Sequence, residues 1–229
     1  MQKKSKKNGV LLFIKYPKIG SVKSRLSSQI DKTLVVSLYK CFVKDILDML
    51  KDLNYDILIC YYPNEKLRYF KRWIGEKYQY ISQNGKDLGE RLKNSFIQAF
   101  NQGFDKLVVI GSDSPDLPKN IVKSAFLKLE KFDSVIGPCK DGGYYLLGFT
   151  NQGFSSNVFH NIPWSTSDVF VKTKNLLEKE SIRTYILPIW QDIDTIEDLK
   201  DFYLRNKDST FKTSNTMKIL EDCYEINDS

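Results

Sequence analysis

The sequence predicts a single α/β domain built on a mostly parallel central sheet. Three observations predict it. Short apolar runs rich in β-branched and aromatic residues alternate with longer amphipathic segments, the pattern of βα units. A chain of 229 residues is long enough to bury one substantial core. Two helix starts carry capping signals directly behind strand-like runs, which implies sharp strand-to-helix junctions.

The run Val10 to Tyr16 opens the series as the first strand. Leu34, Leu38, Phe42, Ile46, Met49 and Leu53 then recur at helical spacing and predict a helix from Asp31 to Leu53. Strands follow at Tyr55 to Tyr61 and Tyr78 to Ser82. The string Asp87-Leu88-Gly89-Glu90 places an acceptor at a cap and an acid three residues later, opening a helix marked by Leu92, Phe96, Ala99 and Phe100. A strand at Leu107 to Ile110 precedes a helix that begins at Pro118, where a missing N–H costs nothing, and runs to about Lys131. Strands at Ser134 to Ile136, Tyr144 to Phe149 and Arg183 to Leu187 complete the sheet, and Thr195-Ile196-Glu197-Asp198 opens the next helix. Residues 1–8 read as a basic flexible tail, 9–206 as the domain, and 207–229 as a polar extension whose periodic part is Thr216 to Tyr224.

The net charge of +7 does not indicate a nucleic-acid partner: without the four lysines of the opening MQKKSKK the excess falls to +3, and no nucleic-acid-binding motif is present. Cys41, Cys60, Cys139 and Cys223 are far apart, form no CxxC pair, and read as reduced thiols of a cytoplasmic protein. No stretch approaches the roughly 20 apolar residues of a membrane span. His160 is the single histidine, which excludes a His-rich metal site, and GSDSP lacks the second glycine of a nucleophile elbow.

Four stretches carry chemistry. In VVIGSDSPDLP the strand delivers Asp113 to the carboxyl edge of the sheet, where ligands of open α/β sheets sit. Asp113 is either an oxygen ligand for a hard divalent cation or a cap for the turn before Pro115, and Asp116 reads as a helix cap. In KYPKIGSVKSRL, Pro17 and Gly20 shape a loop, and Lys23 and Arg25 flank Ser24 at a helix start, a combination suited to a diphosphate. This is neither a Walker A loop nor a GxGxxG. In GPCKDGGYYLLGF, Asp141-Gly142-Gly143 is a hairpin turn, or a place where backbone approaches a ligand that Asp141 contacts. In QDIDTIEDL, Asp192 and Asp194 point the same way on extended chain, and either could join Asp113 on a metal, while Asp198 belongs to the capping box. Trp164 in IPWST is a buried aromatic or a stacking surface for a ring.

In order, KxPxxGxVKSRL, QNGKDLGERL, GSDSPDLP, GPCKDGGYYLLGF, IPWST and DIDTIEDL resemble the glycosyltransferases assigned to the radical-SAM/selenodomain-associated transferase family, within the glycosyltransferase-A (nucleotide-diphospho-sugar transferase) superfamily. The resemblance spans Gly9 to Phe202 and departs in Ser24, where threonine is usual. It implies a three-layer α/β/α sandwich, Rossmann-like, with a nucleotide site at the carboxyl edge of the sheet. Carried over, Lys15, Gly20, Lys23 and Arg25 would hold the phosphates, and Asp87 with Arg91 would line the nucleotide pocket. Gly142 and Gly143 would approach the ligand, and Asp141 would act beside the sugar or acceptor. Asp113 and Asp194 would bind magnesium or manganese, although the usual DxD is absent because Gly111 and Pro115 stand two residues away. The implied reaction is transfer of a sugar from a nucleoside-diphosphate donor, with Lys23 and the metal stabilising the leaving diphosphate. The alternative is nucleotidyl transfer with release of pyrophosphate: guanylyl- and cytidylyltransferases share the fold, and the 2-phospholactate guanylyltransferases have a similar K-x-R-L loop and DGG segment.

Overall fold

The computed structural model describes residues 7–227, with side chains to residue 222. Seven strands, β1 (Asn8–Lys15), β2 (Asp56–Tyr62), β3 (Gln79–Ser82), β4 (Lys106–Ile110), β5 (Ser134–Pro138), β6 (Tyr144–Thr150) and β7 (Thr184–Ile186), form one sheet in the order β3-β2-β1-β4-β6-β5-β7. β6 runs antiparallel to β4 and β5, and every other pairing is parallel. The helices are α1 (Lys32–Lys51), α2 (Leu67–Ile74), α3 (Leu88–Asn101), α4 (Lys119–Lys128), α5 (Val169–Lys179), α6 (Ile196–Asn206) and α7 (Asn215–Asn227).

β1 shows why the strands read as continuous apolar runs. Val10, Leu12 and Ile14 pack with Tyr39, Val43 and Ile46 of α1 and Val122 of α4. Leu11 and Phe13 point to the other face, against Leu92 and Phe96 of α3. A strand covered on both faces has no position for a polar side chain. Phe96 is fully buried, within 6.3 Å (ring centroids) of Phe100, Phe149, Phe154 and Phe159. Burial of such a ring contributes about 1.5–3 kcal/mol, and its truncation to alanine costs about 3–5 kcal/mol.

α1 is buried on a second side as well. Val35, Leu38 and Phe42 form a third cluster with Leu199 and Phe202 of α6 and Met217 and Leu220 of α7. The region expected to be a polar extension is therefore part of the packed body up to α7. Its few apolar residues, with buried Thr216, cover α1. Asp45 of α1 holds the start of α7, accepting from the backbone N–H groups of Asn215 (2.8 Å) and Thr216 (2.9 Å).

Two smaller expectations change. Asp116 does not cap α4, whose N-cap is Pro118. Instead it accepts two hydrogen bonds from Arg205 (2.7 and 3.2 Å) and one from Asn206 (2.8 Å), tying the loop after β4 to the end of α6. Of the predicted basic tail, residues 1–6 lie outside the described residues, and Lys7 and Asn8 are ordered: Asn8 begins β1, and the Lys7 ammonium lies over the Phe104 ring at 4.0 Å.

The strand order fixes where a ligand sits. From β1 the chain moves outward through β2 to β3, then returns to β4 on the other side of β1. The carboxyl ends of β1 and β4 flank this reversal, the usual ligand crevice of open α/β sheets. The loops after them are the two that carry Lys23 and Asp113.

Candidate active site

A cavity of about 850 Å³ opens at that crevice. Its lining includes Lys15, the loop from Gly20 to Arg25, Gly111 to Asp113, Asp141, Gly143, the segment Trp164 to Ser167, and Asp194. Five stretches far apart in sequence thus share one hollow.

At its floor the Lys23 ammonium lies 2.5 Å from Asp113 Oδ1 and 2.8 Å from Asp194 Oδ1. The lysine side chain is 3% exposed, the two carboxylates 48% and 39%. Burial works against the charged lysine, but Asp113 and then Asp194 more than reverse this and hold it above the ordinary lysine range. For Asp194, burial pushes upward while Lys23, then Arg25 and Lys15, bring the carboxyl below its usual value. Lys23 also has φ +48°, a left-handed conformation that costs a side-chain-bearing residue about 1–2 kcal/mol. The meeting of the acids has a backbone cause: Ile193 donates its N–H to the Asp113 carbonyl at 3.0 Å, which lays the DID segment beside the GSD turn.

The loop after β1 differs from expectation. After Lys23 the chain forms only a short 3-10 turn, Leu26–Ser28, and α1 begins at Lys32 with its first amides taken by the Asp31 carboxylate. No helix N-terminus is open to an anion here. Negative charge in the cavity would meet the side chains of Lys15, Lys23 and Arg25.

The DGG segment is the hairpin turn the sequence allowed, and it stands at the cavity. It joins antiparallel β5 and β6, with Asp141 Oδ1 accepting from Gly143 N at 2.8 Å, and it also lines the cavity. Gly142 itself does not line it. At φ +90° it packs under Ser167, whose carbonyl oxygen would lie 2.1 Å from an added Cβ.

Asp87 and Arg91 are likewise absent from the lining. Asp87 caps α3 by accepting from Glu90 N, and Arg91 donates to the Gly85 carbonyl and stacks on Tyr62 at 3.9 Å. The residues of α3 that reach the cavity are Leu88 and Leu92. Trp164, half-buried, lies against the start of α3, where a Cβ on Gly89 would come within 2.8 Å of the indole.

Two lining residues escaped the sequence reading. Tyr39, buried on α1, receives the Lys15 N–H at 2.8 Å and the Ser112 hydroxyl at 3.2 Å, joining the ends of β1 and β4, and burial pushes its phenol up to about 12. Gln83, which follows β3, donates its amide hydrogens to Ile14 O (3.1 Å) and Cys60 O (2.7 Å), which leaves its carbonyl oxygen as the remaining polar group. A tyrosine inside an apolar helical stripe and a glutamine at a strand exit were the available signals.

Cations and donors can be matched. The oxygens of Asp113 and Asp194 already converge on one positive charge, and such hard donors suit magnesium or manganese. Asp192 stands apart from this pair. With Cys139 and Asp141 it forms a trio whose ligand atoms all lie within 4.8 Å of one another. Burial, then Asp141 and Asp194, push the Asp192 carboxyl up to about 6.

A family model, DUF2064, described as "Uncharacterized protein conserved in bacteria", matches residues 46–166, more than half of the chain. The chain belongs to this family. What is shown is membership in DUF2064, not the radical-SAM/selenodomain association that the motifs resemble. A crystal structure from Desulfovibrio desulfuricans G20, provisionally described as a nucleotide-diphospho-sugar transferase, is 38% identical, covers 96% of each chain and superposes with a TM-score of 0.93. The 2-phospho-L-lactate guanylyltransferase of Methanocaldococcus sp. (strain FS406-22) is 28% identical over 88% of this chain and 84% of its own length. At the level of fold alone, the manganese complex of Rv0371C from Mycobacterium tuberculosis H37Rv matches with a TM-score of 0.52, 12% identity and coverage of 86% and 98% of the two chains. No helix among the described residues is long and apolar enough to cross a membrane.

Proposed function

We propose that this DUF2064 protein is a nucleotidyltransferase that takes a nucleoside triphosphate, joins the nucleotidyl group to a small phosphorylated acid and releases pyrophosphate. The observation that carries the reading is the single hollow in which Lys15, Lys23 and Arg25 stand opposite Asp113 and Asp194. The guanylyltransferase relative, similar over most of both chains, supports this reaction over sugar transfer.

In this reaction an acceptor phosphate oxygen attacks the α-phosphorus. One P–O bond forms, the α–β bridging P–O bond breaks, and pyrophosphate leaves with the electron pair. The attacking oxygen is already ionised, so no proton has to be removed. What needs stabilising is the charge gathering on pyrophosphate, and fixed cations in a partly desolvated cavity do that well. Lys15 and Arg25, exposed at the rim, bind the β- and γ-phosphates, and Lys23 adds the buried charge. Asp113 and Asp194 would hold a divalent ion, which would supply Lewis-acid polarisation of phosphate oxygens. Leu88, Leu92 and Trp164 form an apolar wall for the base, and the Gln83 carbonyl accepts from a base amino or imino group. Asp141 and Gly143 shape the acceptor end.

Sugar transfer is the second reading, favoured by the description of the 38% identical relative. There Asp141 would serve as base toward an acceptor hydroxyl. Incubation with each common nucleoside triphosphate, manganese and a panel of phosphorylated hydroxy acids separates the two. Acceptor-dependent pyrophosphate release is expected. Its absence, together with sugar release from a nucleoside-diphosphate sugar, would replace the first reading with the second.

A further inference from the structure

Lys23 occupies the place between the two carboxylates that a divalent cation would take. Its ammonium touches an oxygen of Asp113 and an oxygen of Asp194, at 2.5 and 2.8 Å, so a dication bridging these two oxygens would compete with it for the same space. The exposure pattern is unusual for an ion pair: the lysine is buried at 3%, whereas the acids remain open to the cavity at 48% and 39%. A cation arriving from the cavity meets the carboxylates first and the ammonium behind them.

A further feature points to a cation that is still wanted. Asp141, which lines the same cavity, is crowded together with Asp192 and the Cys139 thiol, their ligand atoms all within 4.8 Å of one another. Lys23 itself has a left-handed backbone conformation, φ +48°. Val22, at 3% exposure, anchors the loop in the core beside it, and Lys23 already lines the hollow.

We propose that Lys23 is an exchangeable counter-ion. It holds Asp113 and Asp194 together in the free protein, yields them to a divalent metal, and turns onto the phosphates of the nucleotide. Metal and nucleotide binding are then coupled: the metal frees the lysine that the phosphates need, and the phosphates draw away the lysine that competes with the metal. By reciprocity each ligand strengthens the other. The inference rests on the nucleotidyl-transfer reading for the identity of the anion, but its core is the competition between metal and ammonium.

The test needs no turnover. Manganese binding to the protein without nucleotide is measured by the loss of the free-ion EPR signal, for wild type, Lys23→Met and, as a remote charge control, Lys123→Met on α4. Lys23→Met is expected to bind manganese at least tenfold more tightly than wild type, with Lys123→Met unchanged. Equal or weaker binding by Lys23→Met overturns the proposal. A second readout uses wild type alone and so does not depend on the variant's folding: amine-selective acylation of Lys23, followed by peptide mass spectrometry, should accelerate at least fivefold on adding manganese, relative to Lys123. An unchanged or slower rate overturns the exchange. If manganese behaves as expected but no triphosphate yields pyrophosphate, the nucleotidyl-transfer reading fails and the exchange stands. If pyrophosphate is released while neither readout responds, the exchange fails and the reading stands.

Discussion

Thr216 donates both its backbone N–H, at 2.9 Å, and its hydroxyl, at 2.6 Å, to Asp45 Oδ2, although the two residues are 171 positions apart. The other oxygen of the same carboxylate takes two donors from Asn215. One buried acid on α1 therefore caps α7. Removing it strands two backbone donors, and Asp45→Ala is expected to cost about 3 kcal/mol, read as a lower urea midpoint with an unchanged slope. Truncation after Asn206 should be worse, because it uncovers Val35, Leu38 and Phe42. A truncated protein with the full-length urea midpoint would restore the view that the C-terminal segment is an appendage.

Gly142 meets two constraints at once: φ is +90°, and an added Cβ would sit 2.1 Å from the Ser167 carbonyl oxygen. The atom it meets is backbone, which cannot step aside cheaply. Gly142→Ala should lower stability by about 2 kcal/mol or more and displace the hairpin that carries Asp141. Thermal unfolding and pyrophosphate release on the same sample check both effects.

The Tyr39 hydroxyl links Lys15 of β1 to Ser112 after β4, 2.8 and 3.2 Å away. Tyr39→Phe leaves the buried ring in place and removes the link, so the expected cost is about 1–2 kcal/mol in stability. A roughly tenfold loss in kcat/KM should accompany it, worth about 1.4 kcal/mol, because the two loops that bear the charged groups lose their common tether. Steady-state kinetics of a folded Tyr39→Phe protein decide the matter.

Asp133 gives the fold a measurable pH dependence. Hydrogen bonds from the Arg183 side chain, at 2.9 and 3.0 Å, hold its carboxyl below the ordinary aspartate range. A depressed folded value means that the stabilisation is complete above the unfolded aspartate value of about 3.9 and is lost as pH falls through the lower folded value. The pair is exposed on the arginine side, so the effect is small. Asp133→Asn should have a lower urea midpoint than wild type at pH 7, with the gap closing under strongly acidic conditions. A gap that widened as the pH fell would reverse the sign of the argument.

The strands were readable because a strand buried on both faces admits only apolar residues, as in Val10 to Ile14. The helix starts at Asp87 and Thr195 were readable because capping chemistry is local: each side chain accepts from an amide three residues on. Asp116, Asp45 and Tyr39 were not readable in the same way, since each finds partners on other elements and nothing nearby in sequence names them. The site shows the same division. Lys23, Asp113 and Asp194 stand out as charged residues at strand exits, but their direct contact depends on the Ile193–Asp113 backbone bond. The expected pocket residues Asp87, Arg91 and Gly142 turn out to cap, stack and pack around the cavity.

The central claim is that these acids and cations together hold a metal-bound nucleoside triphosphate. Isothermal titration of GTP and CTP, and of their diphospho-sugar counterparts, with and without manganese, into wild type and Asp113→Asn tests it most directly. The account predicts that a triphosphate binds wild type, that manganese tightens this binding, and that Asp113→Asn weakens the manganese-supported binding at least tenfold. Binding of a diphospho-sugar with none of either triphosphate, or triphosphate binding indifferent to both manganese and Asp113, would contradict it.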